Sequence, residues 1–122
     1  MEKEIKRWDI GGLMKKSKRS KACDISNKVR EQVLSRDARR CIICGSTYNL
    51  ELAHVFLSRA HLGLGVKENL ATLCKKHHMT LDSGKKQEQH NIRLAVESYM
   101  RSKHGDIDIK SLKYNKWSWL NE

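Results

Sequence analysis

"LATLCKKHHMTLD", residues 70–82, joins a short apolar run to a cysteine, two adjacent histidines and an aspartate. Its first five residues read as a strand, and Lys75 to Asp82 as a short helix stopped near Ser83 and Gly84. Adjacent histidines point in different directions on any regular backbone. On a helix, His78 stands about 100° around the axis from His77, so the two do not serve one ion together.

Cys74 and His77 form a C-x2-H pair, and Cys41 and Cys44 form a C-x2-C pair followed by Gly45. Two such pairs supply the four soft ligands of a structural Zn²⁺ site with no open position. A two-residue spacer lets one tight turn aim both ligands at the same ion, and Gly45 suits a backbone that must visit positive φ. Chance readily produces one pair; two with correct spacing in a small basic chain point to zinc. Cys23 has no partner at ligand spacing and reads as an unpaired thiol. His78 and Asp82, at i and i+4, share one helical face, a spacing at which two side chains can hold a second metal. The plain alternative is a solvated surface pair.

The rest of the composition fits a small domain that needs such a staple. The chain has 122 residues, of which 39% are apolar, and a mean hydropathy of -0.70, so one modest core is expected. No apolar run reaches the roughly 18 residues of a membrane span. "MEKEIKRWDIGG", residues 1–12, is charged where a secretory signal would be apolar. These features predict a cytoplasmic protein with no membrane partner, in which four reduced cysteines serve as metal ligands rather than disulfides.

Charge points to the partner. Lys and Arg total 25 against 14 acidic residues, a net +11, and the pI is about 9.7. Residues 1–40 hold 13 basic and 6 acidic side chains, +7 in a third of the chain. The densest patch is "KKSKRSK", residues 15–21, with Lys15, Lys16, Lys18, Arg19 and Lys21. Such a block attracts a polyanion through release of condensed counterions, which makes nucleic acid the expected partner. A solubilising tail is the bland reading, and an acidic membrane surface or protein a lesser one.

Along the chain, residues 1–24 read as a basic N-terminal arm and 25–122 as the domain with its C-terminal helix and tail. Trp8, Ile10, Leu13 and Met14 could dock the arm on the body. Ser26 is a plausible N-cap for a helix over 27–37, with Val29, Val33 and Leu34 on one face. "YNLELAHVFL", residues 48–57, alternates as a strand: Leu50, Leu52 and His54 share one face, Glu51, Ala53 and Val55 the other. "SRAHLGLGVKEN", residues 58–69, is a glycine-bearing loop long enough to suspect function. A longer helix over 86–103 carries Ile92, Ala95, Val96 and Tyr99 at helical spacing and stops at Gly105. Trp117 and Trp119 read as packing anchors rather than a base-stacking platform.

The order C-x2-C, "ELAHV", "KENLATLC", C-x2-H-H resembles the HNH endonuclease family with its ββα-metal fold. The resemblance is to the small zinc-containing type found in phages and bacteria. It covers residues 26–85, including "NKVREQVLSRDARRCIICG" before the first pair. The H, N and H of the family name fall on His54, Asn69 and His78. The resemblance implies an α+β fold in which two strands and one helix surround a divalent ion, flanked by helices. It implies that His54 activates water, that Asn69 braces the loop against the histidine strand, and that His78 binds the catalytic metal. Asp82 stands where many relatives carry a second helix ligand. An anionic oxygen there suits Mg²⁺ or Mn²⁺, with Ni²⁺ a third candidate. Many relatives carry a ligand immediately before the strand histidine, whereas this chain has Ala53. Either water fills that place or Glu51, on the same strand face, reaches in. Arg59 and His61 in the loop are candidates for phosphate contact.

The expectation is thus a DNA endonuclease of a bacterial or phage-infected cell, leaving 5′-phosphate and 3′-hydroxyl ends. A rival from another class is a zinc-stapled module that binds nucleic acid without cutting it. A second rival is an accessory subunit of a phage packaging or other DNA-processing complex.

Overall fold

A computed structural model describes residues 17–115. Trp8, Ile10, Leu13, Met14, Lys15, Lys16, Trp117 and Trp119 lie outside the described residues.

Local signals account for most boundaries. Ser17 accepts from the Ser20 amide at 3.1 Å and caps α1, Lys18–Cys23. Ser26 accepts from the Val29 amide at 3.2 Å and caps α2, Asn27–Arg36, where the sequence places a helix. Strands β1, Leu50–His54, and β2, Leu70–Cys74, pair antiparallel with Leu50 opposite Cys74 and His54 opposite Leu70. Helix α3, Lys75–Ser83, follows β2 without a loop, and α4, Lys86–His104, ends at Gly105 with φ +73°. Gly105 has a conformation that L side chains rarely adopt, which is why the helix stops there. The expected 48–57 strand is shorter because only five of its residues find partners on β2.

The two-stranded sheet is covered on both faces. Ala53, Val55, Ala71 and Leu73 pack with Leu81 of α3 and with Val96 and Met100 of α4. Leu52 and Leu70 pack instead on Val33 of α2, with Ile25, Val29 and Leu34 around them. All five residues of β2 are buried, the expected state of a strand with no solvent face. The result is a small mixed α+β domain in which a two-stranded antiparallel sheet leads directly into a helix.

A polar clasp fastens these layers. The buried Asp37 carboxylate accepts from Arg36 Nε at 2.6 Å and Nη2 at 2.8 Å, from Tyr99 Oη at 2.7 Å and from the Thr72 amide at 2.9 Å. It thereby ties the end of α2 to β2 and α4. Burial pushes its pKa up, but the Arg36, Tyr99 and Thr72 hydrogen bonds outweigh burial and hold it below the ordinary carboxylate value. The same contact, after burial, helps raise Tyr99 to about 12. Nothing in the spacing of Arg36, Asp37 and Tyr99 announces this clasp.

The long loop between the strands is ordered by its contacts. Asn69 is buried, accepts from the Phe56 and Leu57 amides at 2.9 and 3.2 Å, and donates to Leu57 and Leu64 carbonyls at 2.9 and 3.0 Å. Gly63 bridges to Lys113, while the Gly65 amide bonds the Ala22 carbonyl of α1 at 2.9 Å. A Cβ on Gly65 would meet the Asp24 carbonyl oxygen at 2.2 Å, so glycine is what lets the end of α1 lie this close. The last turn of the expected arm is therefore part of the packed body: α1 is docked and its Cys23 is buried.

Candidate metal centre and the histidine face beside it

The register sets Leu50 and Cys74 at one end of the sheet and His54 and Leu70 at the other. Cys74, at the end of β2 beside Leu50, starts α3, and the Cys41–Gly45 turn folds against the same end. The Ile42 amide donates to the Thr72 carbonyl at 3.1 Å, and the Gly45 amide, at φ +78°, closes the turn on the Cys41 carbonyl at 2.8 Å. Ligand atoms of Cys41, Cys44, Cys74 and His77 all lie within 4.8 Å of one another. His77 Nδ1 is 3.6 Å from Cys41 Sγ and 3.2 Å from Cys74 Sγ, and the Cys44 and Cys74 sulfurs are 3.9 Å apart. Sulfurs on a tetrahedral zinc with bonds of about 2.3 Å stand roughly 3.8 Å apart, so the cluster has the dimensions of a Cys3His zinc site.

Its electrostatics suit a cation. Burial pushes the Cys41 thiol up, but amide hydrogen bonds from Cys44, Cys74 and Ile43 carry its pKa below the ordinary value. The Ser46 amide favours the Cys44 thiolate, yet desolvation and the Cys41 and Cys74 sulfurs push Cys44 up overall. Negative charge on one sulfur is thus opposed by its neighbours, a conflict that a divalent ion relieves. His77 is held below the usual histidine value by burial and by Lys76, which keeps its imidazole neutral and able to ligate. These four residues could hold a metal ion such as zinc.

His78 faces elsewhere. Its Nδ1 is 2.7 Å from Glu51 Oε1 on β1, and its Nε2 is 3.3 Å from Asp82 Oδ2, one turn along α3. The two adjacent histidines therefore belong to different groups of side chains, as helical geometry requires. Ala53 is 1% exposed in the core, packed with Leu81, Val96 and Met100. A charged ligand at that position would be buried against these apolar side chains. Glu51, two residues earlier on the same strand face, lies instead at the half-exposed margin where it meets α3.

His54 occupies the far end of β1. Its Nε2 is 3.1 Å from the Cys23 carbonyl oxygen at the end of α1. A carbonyl only accepts, so Nε2 carries the hydrogen and Nδ1 is left with the lone pair. Burial lowers the His54 pKa, the Cys23 carbonyl raises it, and the neighbouring Arg59 and His78 lower it while Asp82 raises it; the net shift is down. His54, His78 and Asp82 thus share one electrostatic neighbourhood.

The candidate nucleic-acid residues divide. Lys18, Arg19 and Lys21 belong to α1, next to the Cys23 contact with His54, and all three side chains are exposed. Lys15 and Lys16 lie outside the described residues. Arg59 has an internal role: its guanidinium bonds Asp24 Oδ1 (Nε at 2.9 Å) and Ser20 Oγ at 3.2 Å, clamping α1 to the loop. His61 Nδ1 is paired with Ser58 Oγ at 2.7 Å. The docking of Cys23 on His54 and the Glu51–His78 contact are long-range pairings that no local spacing announces.

Among the described residues, no helix is long and apolar enough to cross a membrane. No family model matches the chain, and neither a curated protein nor a solved structure does.

Proposed function

We propose that the protein is a metal-dependent endonuclease of the HNH kind that hydrolyses phosphodiester bonds in DNA. The observation that carries this reading is that three groups act on one another, His54 feeling the charge of the α3 pair and being touched by α1. They are a neutral histidine with its Nδ1 lone pair available, a histidine–carboxylate pair on α3, and the basic helix α1 that touches the first histidine.

His54 is the general base. Its Nδ1 takes a proton from water as the water oxygen attacks phosphorus, and the Nε2–H bond to the Cys23 carbonyl steadies the imidazolium that forms. His78 and Asp82 are the residues that would hold Mg²⁺, Mn²⁺ or Ni²⁺. When bound, such an ion supplies charge neutralisation at the scissile phosphate and at the departing 3′-oxygen. Asn69 holds the loop in register with the strand that carries His54, as its four hydrogen bonds to residues 56, 57 and 64 suggest. Lys18, Arg19 and Lys21, together with Lys15 and Lys16, draw in the phosphate backbone without reading sequence. The Cys41, Cys44, Cys74 and His77 zinc stabilises the fold and takes no part in the reaction.

The test is incubation of the full chain with supercoiled plasmid and Mg²⁺, Mn²⁺ or Ni²⁺, beside His54→Ala. Wild type should nick or linearise the plasmid, and the variant should lose about 10²–10⁴-fold in rate while keeping its fold and zinc. Equal survival of the plasmid with both proteins under every metal sinks the nuclease reading in favour of a module that binds nucleic acid without cutting it.

A further inference from the structure

We infer that Glu51 is a positioning residue. It holds the His78 ring with Nδ1 protonated, so that the Nε2 lone pair and Asp82 together take a divalent cation between them, while Glu51 itself stays outside the coordination sphere. This deepens the nuclease reading and rests on its second metal site, though not on cleavage.

The starting point is a surplus of acceptors. Both ring nitrogens of His78 face carboxylate oxygens, Nδ1 at 2.7 Å and Nε2 at 3.3 Å. An imidazole that ligates a cation keeps one N–H, and carboxylates only accept, so in that state one contact is a hydrogen bond and the other nitrogen offers its lone pair. The shorter contact, to Glu51, has hydrogen-bond length. Nε2 and Asp82 Oδ2 are then a lone pair and an anionic oxygen turned toward each other, two donors placed to take one divalent cation. Two ligand atoms 3.3 Å apart, each about 2.1 Å from one ion, subtend roughly 105° at it. A small side-chain turn closes that to the octahedral 90°, and Asp82, 65% exposed on the last turn of α3, has the room to make it.

The scaffold separates the two carboxylates in the same sense. Glu51 sits within β1, paired opposite Leu73, between Leu50 and Leu52 that pack into the two halves of the core. It is anchored on the rigid element, which suits a group that orients another side chain. Asp82 is on the helix, on the side whose charge reaches His54. Metal-bound histidines as a rule donate their second ring N–H to a carboxylate, which fixes the tautomer and raises ligand basicity. Here that carboxylate is Glu51, and the buried Ala53 explains why β1 contributes an orienting group rather than a ligand at the next inward position.

The test measures cation binding and the ring tautomer on the zinc-loaded full chain. Free Mn²⁺ is followed by electron paramagnetic resonance in wild type, Glu51→Ala, Glu51→Gln and Asp82→Asn, with zinc content and circular dichroism as fold controls. Wild type should bind one Mn²⁺ per chain beyond the zinc. Glu51→Ala should weaken that binding about 10–100-fold, the usual cost of losing such an outer partner. Glu51→Gln, whose side-chain oxygen still accepts from Nδ1, should recover most of it, and Asp82→Asn should lose more than either. Long-range ¹H–¹⁵N spectra should show His78 protonated at Nδ1 in Mg²⁺-loaded wild type, and a mixed tautomer in Glu51→Ala. The inference is overturned by Glu51→Gln failing as badly as Asp82→Asn, by a proton on His78 Nε2 with Mg²⁺ bound, by unchanged binding in Glu51→Ala, or by no Mn²⁺ binding in wild type. Binding that depends on Glu51 in a protein that leaves DNA intact would remove the nuclease reading and leave this assignment standing.

Discussion

His77 and His78 show how one step along a helix separates two groups of side chains. His77 turns toward three sulfurs, whereas His78, about 100° around the axis, meets Glu51 and Asp82. This separation has a direct consequence for substitution. Cys74→Ser should release zinc and with it the cooperatively folded state, because a closed structural site contributes folding free energy outright. His78→Ala should keep one zinc per chain and its circular dichroism spectrum. A zinc assay on the two purified variants checks this, and loss of zinc from His78→Ala would mean the roles of the adjacent histidines are exchanged. His54 carries a pH prediction. Burial is the main cause of its lowered pKa, against an ordinary value of 6.5. A lowered pKa leaves the neutral, proton-accepting form dominant to lower pH. The acid limb of cleavage should therefore fall below pH 6.5, with activity full above it and lost as pH drops through the folded-state pKa. A midpoint above 6.5 in the rate profile would contradict a buried base.

At the scale of elements, stability rests on the Asp37 clasp between α2, β2 and α4. The carboxylate has a fully buried side chain, and Arg36 is only 13% exposed. Arg36 also donates to the Lys67 and Leu70 carbonyls, and its Nη1 is 2.9 Å from His104 Nε2, so one guanidinium organises four segments. Asp37→Ala leaves that charge and the Tyr99 hydroxyl without their anion and should cost about 3–5 kcal/mol in chemical denaturation. Tyr99→Phe removes one hydrogen bond to a charged group and should cost about 1.5–3 kcal/mol. Equal stability of Asp37→Ala and wild type would show the clasp to be incidental. Helix α1 is the other element with a consequence beyond its length. Six residues long, it would be marginal alone. Its place is set by buried Cys23, the Arg59–Asp24 pair and the close approach at Gly65, and through it the carbonyl that orients His54 is set as well.

For the whole molecule, charge and size act together. A net charge of +11 on 122 residues favours association with a polyanion whatever the fold beneath it. In the proposed complex, log affinity for duplex DNA should fall linearly with log salt. Replacing Lys18, Arg19 and Lys21 together by Ala should make that slope shallower by about 0.9 for each phosphate no longer neutralised, nearly equally for unrelated sequences. Fluorescence anisotropy across a salt series measures it, and an unchanged slope would place the DNA elsewhere on the surface. Because the apolar core is thin, chelation of zinc should unfold the chain together with any binding it supports.

Local spacing was enough to determine the C-x2-C and C-x2-H pairs that cluster, the β2–α3 junction, the caps at Ser26 and Gly105, and the different directions in which His77 and His78 point. Each depends on residues within a turn or two of one another, where backbone geometry alone dictates direction. Tertiary structure decided the rest: that Cys23 is buried and its carbonyl meets His54, that Arg59 holds Asp24, that Asp37 gathers three elements, and that Glu51 rather than position 53 meets His78. Those contacts join residues far apart in the chain. Their partners are chosen by which faces of the sheet are covered, and packing rather than periodicity sets that choice.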